Sequence, residues 1–88
     1  MYYRNGYTII PSNRKYKKYD VYKGEKYITS FGDVRYEQYY DKFGFYSNLN
    51  HLDKDRRQSY RQRHINDNVD DPNYAGYWSW RYLWLQKF

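Results

Sequence analysis

The side chains with the most obvious chemical reach are two histidines, His51 and His64, and the acids around them, Asp53, Asp55 and Asp67. Imidazoles beside carboxylates are what a metal-dependent nuclease needs. The fragments Asn50-His51 and His64-Ile65-Asn66 also set an asparagine close to each histidine. But 12 residues separate the histidines, which is no recognised ligand spacing, and a metal site normally takes three protein ligands or more. The plainer assignment carries more weight: His51 packs or caps near a helix start, and His64 sits at a helix end. Gly24, Gly32 and Gly44 do not form a phosphate loop. No Ser–His–Asp set has a local signature, and the adjacent Asp70-Asp71 pair reads as solvated. The sequence gives no ground to expect a catalytic residue, a metal or a cofactor.

The sharper chemistry is cationic. Lys54, Arg56, Arg57, Arg61 and Arg63 fall in one short stretch with a single acid, Asp55. Guanidinium groups at this density suit phosphates or carboxylates, which they bind bidentately. Interleaved rings at Tyr36, Tyr39, Tyr40, Tyr46 and Tyr60 are of the kind that stack on unpaired bases. Of equal weight is a solvated helix whose arginines pair with Glu37, Asp67, Asp70 and Asp71. A second basic cluster lies between Met1 and Lys18, where Arg4, Arg14, Lys15, Lys17 and Lys18 stand without any acid. With a net charge of +6 distributed this unevenly, the chain should attract an acidic partner: nucleic acid, an acidic protein surface or an anionic membrane. No stretch is apolar enough to span a bilayer, and the N-terminus lacks the hydrophobic core of a signal peptide.

These side chains need elements to position them. Tyr19–Tyr22 and Lys26–Phe31 are rich in β-branched and aromatic residues, and Lys23-Gly24-Glu25 between them suits a hairpin connection. A lone hairpin is not stable in water, so helices must cover it. Asp33 is a candidate N-cap for a helix over Val34–Lys42, in which Tyr36, Tyr39, Tyr40 and Phe43 recur at helical spacing. Asp53 is a candidate N-cap for a helix over Lys54–His64, with Asp55 in its first turn and Arg61, Arg63 and His64 in its last. Asp71-Pro72 can start a third element. The Trp-rich run Tyr77–Phe88 fits a helix with Tyr77, Trp80, Trp84 and Phe88 aligned, and also fits a strand; the start signal favours the helix. Residues 1–16, interrupted by Asn5, Gly6, Pro11, Ser12 and Asn13, read as a Tyr-rich basic arm docked on its own domain or on a neighbour. The expected fold is α+β: a β-hairpin packed against two or three short helices over residues 17–88, preceded by an extended N-terminal arm.

With 88 residues there is room for one domain, and no cysteine supplies a disulfide or thiolate site, which fits a reducing compartment. Tyrosine, at 15 residues, outnumbers every other apolar type, so the core must be built largely from rings. That many hydroxyls cannot easily all be buried and satisfied in so small a fold. Some rings should therefore lie on the surface beside arginine, the composition of binding surfaces. Tyr2, Tyr3, Tyr7, Tyr36, Tyr39, Tyr60, Trp78, Trp80 and Trp84 are the candidates.

The runs Lys18-Tyr19-Asp20-Val21-Tyr22, Ile28-Thr29-Ser30-Phe31-Gly32-Asp33 and Arg35-Tyr36-Glu37-Gln38-Tyr39 carry a resemblance. So do Asn50-His51-Leu52-Asp53-Lys54-Asp55-Arg56-Arg57, Tyr60-Arg61, Arg63-His64 and Tyr77-Trp78-Ser79-Trp80-Arg81-Tyr82-Leu83-Trp84. Together, over residues 17–85, they resemble a family of short uncharacterised proteins encoded by aquatic phages and large DNA viruses. The resemblance implies a viral setting and brings no catalytic residues with it. The expectation is a small virion component, a basic adaptor or cement such as a minor capsid protein. It would bind other virion proteins through its aromatic-rich ends, in the virion or in the cytoplasm of the infected cell. The alternative is a viral accessory protein that binds nucleic acid through the arginine-rich helix and stacking tyrosines. A nuclease accounts for least.

Overall fold

Residues 2–85 are described by the structure, a computed structural model. Four strands, β1 (Tyr2–Arg4), β2 (Tyr7–Pro11), β3 (Lys17–Lys23) and β4 (Lys26–Asp33), form one antiparallel sheet in the order β1-β2-β3-β4. The hairpin expected from residues 19–31 is its β3–β4 half, turning at Gly24 with φ +62°. The stretch expected as an arm is instead the other half. Asn5 and Gly6 both adopt positive φ, 52° and 86°, the two-residue turn for which Asn-Gly is best suited. They fold β1 back on β2, pairing Tyr2 with Ile9 and Arg4 with Tyr7. Pro11 falls at the end of β2, where it interrupts little of the ladder.

Two α-helices follow, α1 (Lys54–Arg63) and α2 (Ala75–Tyr82). Asp53 caps α1 as expected, accepting from the backbone N–H of Asp55 and Arg56. The helix expected over Val34–Lys42 does not form. Asp33 ends β4, and its carboxylate accepts from the Arg35 N–H in a local turn. Beyond it the backbone donors go to distant acceptors, Gln38 to Leu49, Tyr40 to Leu83 and Lys42 to Tyr82. Those long-range bonds override a weak helical preference in a segment rich in aromatic residues. The last helix is shorter than the run Tyr77–Phe88: α2 ends at Tyr82, and Phe88 lies outside the described residues.

The core is made of rings, as the composition requires. Ile9, Tyr19, Val21 and Phe31 come from the sheet, and Phe43, Trp78 and Leu83 cover them. Tyr19 stacks on Phe31 at 5.3 Å, Phe31 on Trp78 at 6.3 Å and Trp78 on Tyr82 at 5.7 Å. Burying rings of this size supplies most of what a short chain has to set against its conformational entropy. A polar network threads the same core. Lys18 Nζ donates to Gln38 Oε1, Gln38 donates to Asn50 Oδ1 at 2.6 Å, and Asn50 Oδ1 also accepts from the Asp41 N–H. The Asp41 carboxylate in turn accepts from the Tyr19 hydroxyl and from the N–H groups of Phe43 and Tyr46. This network holds the irregular chain between β4 and α1 in place.

Candidate binding face and adjoining cleft

At the open end of the β3–β4 hairpin the register places Lys17 opposite Asp33, and the Val34 N–H donates to the Tyr16 carbonyl. Two segments distant in sequence, 14–17 and 33–36, are thereby laid side by side. The Arg35 guanidinium sits 4.0 Å from the centre of the Tyr16 ring and 5.7 Å from that of Tyr36. On the same stretch Arg14 lies 4.1 Å over the ring of Tyr27. Tyr36 is 64% exposed and Tyr16 43%, so these rings are stacked on cations and still open to solvent. Such contacts hold both partners in a defined orientation.

The charges of this face divide into committed and free. Arg35 binds both carboxylate oxygens of Asp33, and that hydrogen bonding holds the Asp33 carboxyl down at about 2. Arg14 lies 3.5 Å from the buried Asp20. Among the described residues neither Lys15 nor Lys17 pairs with a carboxylate. Both are exposed and both flank Tyr16. The face thus offers two exposed ammonium groups without a salt bridge beside the arginine–tyrosine stack: Lys15, 5.1 Å from the centre of the Tyr16 ring, and Lys17, in the field of Asp33.

The arginines of α1 do not form an open basic face. Arg56 pairs with Glu37 at 2.9 Å. Arg57 lies over the Tyr39 ring and donates to the Leu85 carbonyl. Arg61 stacks 3.8 Å over Trp80 and donates to the Trp84 carbonyl, and burial lowers its pKa. Arg57 and Arg61 fasten an otherwise polar helix to the C-terminal segment, and Arg56 ties it to the chain after β4. Arg63 and Lys54 remain exposed, on a helix with no buried residue.

Most of the candidate rings also serve the interior. Tyr2 packs on Phe43, Tyr7 on Trp78, and Tyr60 lies flat against Trp84 at 4.3 Å. Trp78 is buried and its indole N–H donates to the Pro72 carbonyl. Tyr39 is buried, while Trp80 and Trp84 are half-buried against α1. Only Tyr3 and Tyr36 among the nine are exposed, and Tyr36 borders a cleft together with Arg56 and Arg63 of α1. Tyr16, Arg35 and Tyr27 were not candidates. Alternation of rings with cations in Arg14-Lys15-Tyr16-Lys17 was the available signal, but only the β3–β4 register brings Arg35 alongside.

Between the end of β4 and α1 lies a cleft of about 700 Å³ lined by residues including Lys17, Lys18, Tyr36, Ser59 and His64. The His64 Nδ1 is 2.5 Å from Asp67 at the end of α1, as its position at a helix end suggested. His51 lies outside the cleft. Its Nδ1 accepts from the Asp53 N–H beside the α1 cap, and burial lowers its pKa. Among the described residues no group of three or more His, Cys, Asp or Glu is placed to hold a metal ion. No helix among them is long and apolar enough to cross a membrane. No protein-family model matches the chain, and no curated protein or solved structure matches it either.

Proposed function

We propose that this chain is a non-enzymatic basic adaptor of a virus particle. It docks on an acidic surface of neighbouring subunits through the face formed by Arg14, Lys15, Tyr16, Lys17, Arg35 and Tyr36. The observation that carries this reading is the exposed stack of Tyr16 and Tyr36 on Arg35, with the exposed cations Lys15 and Lys17, neither in a salt bridge, beside it. Rings and arginines already held in place lose little entropy on binding, and such residues dominate interface energetics. The viral setting rests on the resemblance of residues 17–85 to proteins of phages and large DNA viruses. A small, ring-built fold is also suited to assembly, where neighbours add buried surface that the monomer lacks.

The same exposed rings favour a second reading, in which Tyr16 and Tyr36 stack on the bases of a single strand while Lys15 and Lys17 meet its phosphates. A salt series separates the two. The adaptor reading expects no binding of single- or double-stranded DNA or RNA at moderate salt, and recovery of the chain in a fixed ratio with the shell proteins of purified particles. Binding to an oligonucleotide that weakens steeply with salt and is lost in Lys15→Ala/Tyr16→Ala/Lys17→Ala would favour nucleic acid instead.

A further inference from the structure

The cleft adjoins the binding face, because Lys17 and Tyr36 belong to both. At about 700 Å³ it falls within the range of specific ligand pockets. Its apolar lining comes from Phe31, Ala75, Leu83 and Trp84, and its mouth on the α1 side from Ser59 and Arg63. Lys18 also lines it, with only 2% of its surface exposed.

Lys18 is the unusual element. Its ammonium donates to two acceptors, the Tyr36 carbonyl at 2.9 Å and Gln38 Oε1, and both are neutral. Among the described residues no carboxylate lies at ion-pair distance from it. An ammonium has three hydrogens to donate, so one remains. Asp41, the nearest buried acid of the network, is occupied by Tyr19 and two backbone N–H groups. Burying an ammonium without a carboxylate in direct contact is unfavourable, and burial lowers the Lys18 pKa to about 8 against the weaker pull of Asp41 and Asp33. An anion entering the cleft would supply what the fold leaves out.

The rest of the lining selects the kind of anion. Asp33, Glu37 and Asp55 also border the cleft. Asp33 is held by Arg35 and Glu37 by Arg56, which leaves Asp55 without a salt bridge on a lining that also carries Lys17 and Arg63. Three carboxylates on one lining disfavour a dianionic phosphate more than a monoanion. Apolar walls favour a group with a hydrocarbon stem. We infer that the cleft receives a carboxylate side chain of the acidic partner, a glutamate or aspartate flanked by apolar residues, with Lys18 as its counter-ion. This inference rests on the reading of the adjoining face as a docking site for an acidic protein, and it names the group that enters.

The test is an amide NMR titration of the full chain with three probes: a blocked Leu-Glu-Leu peptide, its glutamine counterpart and adenosine monophosphate. The glutamate peptide should shift the amides of Gly32, Ala75 and Ser79, and the glutamine peptide should not. Lys18→Met, which keeps the stem that packs on Gly32, should weaken binding about tenfold or more, the scale of a lost charge-assisted hydrogen bond. Ser59→Trp, at an exposed position on α1, should close the mouth and abolish the shifts while leaving the Lys18 network intact. Equal binding of the two peptides, unchanged binding in Ser59→Trp, or shifts confined to Tyr16 and Arg35 would overturn the cleft assignment and leave the face standing. Preferential shifts by the nucleotide would overturn the choice of a carboxylate. No shift anywhere with the glutamate peptide would overturn both the cleft and the face.

Discussion

The Tyr19 hydroxyl donates to Asp41 Oδ2 at 2.5 Å, and this bond ties the central strand β3 to the irregular chain that follows the sheet. Asp41 is buried, and its two oxygens satisfy three donors. Removing an acceptor that leaves several buried donors unpaired is among the costlier changes a core can suffer. Asp41→Ala should therefore destabilise the fold by about 3 kcal/mol, and Tyr19→Phe by about 2 kcal/mol. Urea unfolding followed by tryptophan fluorescence measures both. Losses below about 0.5 kcal/mol, the range of ordinary surface changes, would show that the network contributes little.

Gly32 allows Lys18 to reach its place. Its φ is +75°, and a Cβ there would meet Lys18 Cδ at 2.8 Å, Lys18 Cβ at 2.9 Å and Leu83 Cδ1 at 3.1 Å. Gly24 also has positive φ, +62°, but a Cβ there would meet nothing within 4 Å. Gly24→Ala should cost about 1 kcal/mol from backbone strain alone. Gly32→Ala adds steric overlap and should cost about 2–3 kcal/mol. Equal losses in thermal unfolding would contradict the close approach.

The arginines of α1 should separate by what they touch. Arg61 stacks on Trp80 and reaches the Trp84 carbonyl, whereas Arg63 is exposed. Arg61→Ala should cost about 1–2 kcal/mol, from lost cation–π contact and packing. Arg63→Ala should stay within about 0.5 kcal/mol. If both are neutral in denaturant titration, the fastening of α1 by its arginines is wrong.

Stability should depend on pH through Lys18. Its folded pKa, lowered to about 8 by burial against the opposing pull of Asp41 and Asp33, lies below the ordinary lysine value of 10.5. Between those values the unfolded chain binds more protons, so stability rises with pH across the window. The gain should be about 1–2 kcal/mol once solvent screening is allowed for. Burial raises the pKa values of Tyr19, Tyr46, Tyr60 and Tyr82, so tyrosine ionisation in the unfolded chain reverses the trend above about pH 10. Lys18→Met should flatten the rise between pH 8 and 10 in a series of denaturation curves. A wild-type curve that falls across that interval, or an identical rise in the variant, would contradict the assignment.

Local signals in the sequence were legible where the physics is local. The β3–β4 hairpin followed from its β-branched and aromatic runs around Gly24, and α1 from the Asp53 cap. Asn5-Gly6 carried an equally local turn signal, but the short apolar runs beside it gave no clear period, so β1 and β2 read as an arm. The chain from Val34 to Lys42 was misread for a different reason: its backbone donors are satisfied by Leu49, Leu83 and Tyr82, partners that no local pattern identifies. The binding face shows the same limit. Lys15 and Lys17 were visible as cations, yet Arg35 and Tyr16 meet only through the strand register. Conversely, pairing of an α1 arginine with Glu37 was legible and holds for Arg56, but the rings and carbonyls that engage Arg57 and Arg61 were not, because they lie far along the chain.

In the proposed adaptor, Lys15 and Lys17, beside the arginine–tyrosine stack, face carboxylates of a neighbouring subunit. Carbodiimide cross-linking of intact purified particles tests it directly, because the reagent joins an amine to a carboxylate only when the two are in contact. Peptide mass spectrometry should place the cross-links at Lys15 or Lys17 and at Asp or Glu of a shell protein. Absence of the chain from the particles, or cross-links that avoid both lysines while forming at other surface amines such as Lys54, would contradict the account.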